Sequence, residues 1–94
     1  MLTLEQAKTS LRVSQNADDA MIQNFIDTAQ EYVIGAVNSA KTIDDFKDNN
    51  RFDLAVLLLV GYWYDSRGDN SAPWIPDAAL SLIQQIRGDS YGTD

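Results

Sequence analysis

The 94-residue chain contains no cysteine and no histidine. Without cysteine there is no disulfide and no thiolate chemistry, and nothing in the sequence asks for an oxidising compartment. Without histidine the common nucleophile–base pairs are excluded, and zinc sites built from Cys and His go with them. The five glycines, at 35, 61, 68, 88 and 92, stand apart from one another, so no glycine-rich phosphate loop can form. Proline occurs only twice, at Pro73 and Pro76. Basic residues are also scarce: seven Lys and Arg against fourteen Asp and Glu give a net charge of −7. Lys8, Arg12, Lys41, Lys47, Arg51, Arg67 and Arg87 are scattered along the chain rather than clustered. Binding to DNA through counterion release needs clustered cations, so groove reading is not expected. The amino terminus lacks the basic-then-apolar pattern of a signal peptide, which makes a cytoplasmic product the default expectation.

What the chain does have is an apolar run over residues 54–64 with no charge and no proline. A membrane span needs about 20 residues, so this run is too short to be one. Rolled onto a helix it has no polar side. Leu54, Leu57, Leu58 and Gly61 share one face, Val56, Val60 and Trp63 a second, and Ala55, Leu59 and Tyr62 a third. A helix apolar all round must be covered all round, and a chain this short offers few other helices to do it. Neighbouring copies are therefore expected to supply part of the cover. The run should also be the main determinant of stability, with Leu58→Ala expected to cost about 2–5 kcal/mol if that side chain is fully buried. Gly61, in mid-helix, is expected to mark a close approach by another backbone or ring.

The remaining elements follow from caps and periodicity. Thr3 and Gln6 have the spacing of a capping box, and Leu4, Ala7, Lys8 and Leu11 continue at helical spacing. Asn16 is read as the next N-cap, with Asp18 and Asp19 in the favourable first turn. Ile22, Phe25, Ile26, Ala29, Val33, Ala36 and Val37 then form one apolar stripe, with Tyr32 at its border. Residues 38–50 are weakly determined; Thr42 and Asp45 could cap a short turn that packs Ile43 and Phe46. Asp44, Asp45 and Asp48 lack the spacing of a calcium loop and read as a solvated acidic turn. Arg67 in the last turn and Gly68 beyond it are expected to end the apolar helix. Pro76 suits the first position of a final helix, with Ala79, Leu80, Leu82, Ile83 and Ile86 on its buried side and Gly88 as its stop. The expected fold is all-α, a small bundle of about four helices near 3–12, 17–37, 51–67 and 76–87. Residues 1–88 form a single domain, and 89–94 a flexible acidic tail.

No pair of carboxylates is placed by the pattern in an apolar cleft, so an enzyme is not expected, and neither a cofactor nor a metal is called for. Large aromatic side chains suit contact surfaces. Tyr62, Trp63, Arg67, Trp74 and Ile75 are the candidate interface residues.

The order of these motifs resembles that of the small head–tail connector proteins of tailed phages and prophages. The likeness rests on Leu2 to Lys8, Leu11 to Val13, Asp18-Asp19, Phe25-Ile26, Ala29 and Tyr32-Val33. It continues in residues 55–67, an apolar helix ending in an aromatic pair, an acid and an arginine, and in Ile75-Pro76, Ala79, Leu80, Leu82, Ile83 and Arg87. Gly61 and Tyr62 depart from it, standing where alanine and histidine are expected. The resemblance implies a non-enzymatic adaptor at the virion head–tail junction, reached from the host cytoplasm during assembly. Its partners would be further copies of itself in a ring, the portal above, and the next connector or tail protein below. DNA would be only passing cargo in the channel, and no membrane is involved. A small helical regulatory or DNA-binding module is the alternative, opposed by the lack of a basic recognition helix.

Overall fold

A computed structural model of the chain describes residues 1–38, 40–66 and 75–92, with side chains as far as Gly88. It is all-helical: α1 is Leu4–Leu11, α2 is Asp19–Val37, α3 is Asn50–Asp65 and α4 is Asp77–Gly92, with a 3₁₀ helix at Ile43–Phe46 between α2 and α3.

Local chemistry accounts for most helix starts. Thr3 caps α1 reciprocally: the Gln6 amide donates to Thr3 Oγ1 at 3.1 Å and the Thr3 amide to Gln6 Oε1 at 3.0 Å. The Thr42 amide donates to Asp45 Oδ2 at 2.7 Å and fixes the short 3₁₀ turn. Asn49 caps α3 by accepting from the Phe52 amide at 3.0 Å. α1 ends on Arg12 in the left-handed region, φ 60°, which lets the Val13 amide reach back to the Lys8 carbonyl at 2.9 Å.

Two boundaries differ from expectation. Asn16 does not cap α2; the N-cap is Asp18, and the Asn16 side chain instead accepts from Lys8 Nζ at 2.8 Å. α3 is described as far as Asp65, where the Ser66 amide closes the last turn on the Tyr62 carbonyl at 3.0 Å; the expected ending at Arg67 and Gly68 lies outside the described residues. α4 runs through Gly88 to Gly92. A glycine inside a helix costs only about 1 kcal/mol, and Ile83 and Ile86 anchor the preceding turns in the core.

α2 and α3 form the central pair, with α1 and α4 each packed against both. The core is built on Ile22, Ile26, Ala29 and Val33 of α2 facing Phe52, Ala55, Val56, Leu59 and Val60 of α3, closed by Ala79, Ile83 and Ile86 of α4. Phe46, 3% exposed, stacks on Phe52 with ring centroids 4.8 Å apart and planes within 10°. This contact ties the segment after α2 into the core.

Polar contacts gather where α1 ends, α2 begins and α3 ends. Lys8, on the apolar side of α1, is buried there because its ammonium pairs with Asp19 Oδ1 at 2.7 Å as well as with Asn16. The Tyr64 hydroxyl donates to Asp18 Oδ2 at 2.7 Å and links α3 to the start of α2.

Gly61 is not the site of a tight approach. Among the described residues a Cβ built there would meet only the Leu11 methyl carbon Cδ2, at 3.7 Å, an ordinary van der Waals distance. The expected close packing is therefore replaced by a propensity argument. Gly61→Ala is predicted to stabilise the fold by about 0.5–1 kcal/mol, since alanine loses less backbone entropy in a helix. Chemical denaturation checks this, and a destabilised variant would mean that Leu11 cannot accommodate the methyl group.

Candidate functional site

α3 enters the structure apolar on every side, and the other helices cover only part of it. α2 lies against the side that carries Trp63, whose ring meets Phe25 of α2 edge-on at 6.1 Å and 61°. α1 reaches the flank at Gly61 through Leu11, and α4 also packs against α3. The side turned away from α2 keeps a bare strip: Leu54 is 46% exposed, Tyr62 is 37% exposed, and Leu58 between them is half-buried. On a helix turning about 100° per residue, positions 54, 58 and 62 stack one turn above another. Arg51 before them and Asp65 after them are both exposed. Large apolar side chains left open in a row mark a contact surface better than scattered ones do.

Two further large hydrophobic residues stand exposed on other helices: Tyr32 of α2 at 40% and Leu80 of α4 at 39%. Tyr32 was legible as the border of the α2 stripe, whereas Leu80 was expected on the buried side of α4 and lies at its edge.

The candidate interface residues read from the sequence fall into three groups. Tyr62 is on the open strip. Trp63 and Ile75 are half-buried and pack against the core, so part of their apolar surface is already used within the chain. The Trp63 indole N–H is buried with no acceptor among the described residues. Arg67 and Trp74 lie outside the described residues. Leu54 and Leu58, on the same open strip, were not among the candidates. Their signal was the face shared by Leu54, Leu57, Leu58 and Gly61, which periodicity groups but does not assign to core or solvent.

Asp44, Asp45 and Asp48 line an open cleft with Lys47, Asn49, Asn50 and Arg51. Among the described residues no group of three or more Asp, Glu, His or Cys side chains is arranged to hold a metal ion. No helix among them is long and apolar enough to cross a membrane.

The open feature of α3 is thus a helical ridge of leucine and tyrosine between the exposed Arg51 and Asp65. No curated protein and no solved structure matches this chain. A family model does match, over residues 1–87, which takes in all of α1, α2 and α3 and most of α4. The chain belongs to the phage gp6-like head-tail connector family.

Proposed function

We propose that this connector assembles as a closed ring of identical copies beneath the portal, extends the DNA channel, and offers its lower side to the next connector or the tail. The observation that carries the reading is the Leu54–Leu58–Tyr62 strip on a central helix that its own chain does not finish covering. A ring needs heterologous contacts, in which one patch of a subunit meets a different patch of the next. The strip faces away from α2, while Tyr32 stands at the rim of the outer face of α2. These two patches look to different sides of the subunit, as a heterologous contact requires. The role is structural: what the strip offers is apolar contact surface on a central helix. The charge of −7 suits a channel through which DNA passes without being held.

The test mixes the protein with its cognate portal and images the complexes. Wild type is expected to decorate the portal as a ring. The double variant Leu54→Asp/Tyr62→Asp alters only exposed positions, so it is expected to keep its fold and leave the portal bare. Failure of wild type to decorate would overturn the connector ring. Equal decoration by the variant would remove the strip from the interface.

A further inference from the structure

Lys8 is the one charged residue that is buried among the described residues. It shares the inward side of α1 with Leu4 and Leu11, at helical spacing from both. A leucine or methionine there would bury apolar surface and leave no charge to desolvate. The lysine is held instead by two oxygens of the segment that begins α2, Asp19 Oδ1 at 2.7 Å and Asn16 Oδ1 at 2.8 Å. Asp18 is likewise engaged by a distant helix. It stands at the N-cap of α2, yet its side chain makes no cap hydrogen bond and accepts from the Tyr64 hydroxyl at 2.7 Å. Asn16 and Asp18 both have capping chemistry. Both are turned to other helices, and neither caps α2.

We infer that residues 16–19 form a polar clamp whose role is to position two helices rather than to stabilise the fold. Through Lys8 the clamp fixes where α1 lies along the Gly61 flank of α3, which Leu11 covers. Through Tyr64 it fixes the end of α3 against the start of α2. Apolar packing attracts α1, only eight residues long, but it tolerates small slides and rotations. Two short polar contacts on one ammonium are met in a single seat. The arrangement buries a charge and forgoes a helix cap, and both work against stability. What it supplies in return is a unique placement. Because Asp18 and Asp19 are adjacent, the seat of α1 and the end of α3 depend on the same turn of backbone. The clamp thereby sets the edge of the open strip, since Tyr62 lies two residues before Tyr64 and Gly61 three. The inference stands on contacts within one chain and does not require the ring.

Lys8→Met separates position from stability. Methionine keeps an unbranched chain on the inward side of α1 and removes the ammonium. Neither former partner becomes a buried unpaired group, because the Asp19 side chain is 34% exposed and Asn16 is exposed. The urea midpoint of Lys8→Met is therefore expected to equal or exceed that of wild type. In wild type, nuclear magnetic resonance is expected to show a strong Overhauser contact between a Leu11 methyl and the Gly61 α-protons. In Lys8→Met that contact is expected to weaken, and the α1 amides to exchange about tenfold faster or more, with the core amides of α2 and α3 unchanged. Lys8→Arg keeps a cation facing Asp19 and is expected to retain the contact. Tyr64→Phe, which removes only the hydroxyl, is expected to speed exchange in α1 as well as at the end of α3.

A Lys8→Met protein that keeps the Leu11–Gly61 contact and the protection of α1 would overturn the clamp, because packing alone would then seat the helix. A lowered midpoint with protection lost equally from every helix would overturn it too, since the ion pair would then be a stabilising contact. Unchanged exchange of α1 in Tyr64→Phe would overturn the coupling of the two helices through Asp18 and Asp19.

Discussion

Phe52→Ala is expected to cost about 3–5 kcal/mol, the largest loss for any single side chain among the described residues. Phe52 is fully buried and shares a near-parallel stack with Phe46, whose own exposure is 3%. Its backbone amide also fills the Asn49 cap, so the turn that starts α3 and the ring that anchors it belong to one residue. Removing the ring leaves a cavity between α3 and the 3₁₀ helix, and Phe46 loses its partner. Typical domains are stable by about 5–15 kcal/mol in total, so this loss would consume a large share. Urea denaturation of wild type, Phe52→Ala, Phe46→Ala and the double variant measures both the cost and the coupling. The two single costs should overcount the double by about 0.5–3 kcal/mol, because the residues touch. Additive losses, or a Phe52→Ala cost below about 1 kcal/mol, would show that the stack does not anchor the start of α3.

The fold was legible in the sequence where one local rule decided it. The boxes at Thr3/Gln6 and Thr42/Asp45 are visible as spacings and form as expected. The α2 stripe is visible as a period, and Ile22, Ile26, Ala29, Val33 and Val37 are buried as that period requires. Legibility ended where a distant partner made the choice. Asn16 has the chemistry of an N-cap, but Lys8 takes its side-chain oxygen, and Tyr64, 46 positions beyond Asp18, engages that aspartate. Neither partner can be read from the residues around Asn16. Gly88 has the chemistry of a stop, yet the core contacts of Ile83 and Ile86 carry α4 past it.

The candidate site shows the same limit. A helix apolar on all sides has no period that separates core from surface, so the sequence could say that α3 needed cover but not which side lacked it. That side was set by where α1 and α4 came to rest, with Leu11 against Gly61 on one flank. The family was more readable than the interface because ordered motifs persist along a chain, whereas an open face exists only after folding.

Leu58 and Leu59 separate stability from assembly within two adjacent residues. Composition and helix propensity treat them alike, and the cost expected for Leu58→Ala held only if that side chain was fully buried. That condition is not met: Leu59 is fully buried in the core, and Leu58 sits half-buried on the open strip. Leu59→Ala is therefore expected to cost about 2–5 kcal/mol, the transfer loss plus a cavity that α2 and α4 can only partly close. Leu58→Ala removes side-chain surface that is already partly in water and leaves no enclosed void, so about 1 kcal/mol is expected. Association should move the other way. Leu58→Ala takes away the centre of the open strip and should weaken ring decoration of the portal, while Leu59→Ala leaves the strip intact and should not, at temperatures where it is folded. Denaturation and imaging of portal complexes with the two variants supply both halves of the comparison. Equal stability losses would mean that α3 is rotated about its axis from the orientation described. Equal decoration with unequal stability would keep that orientation and take the strip out of the ring contact.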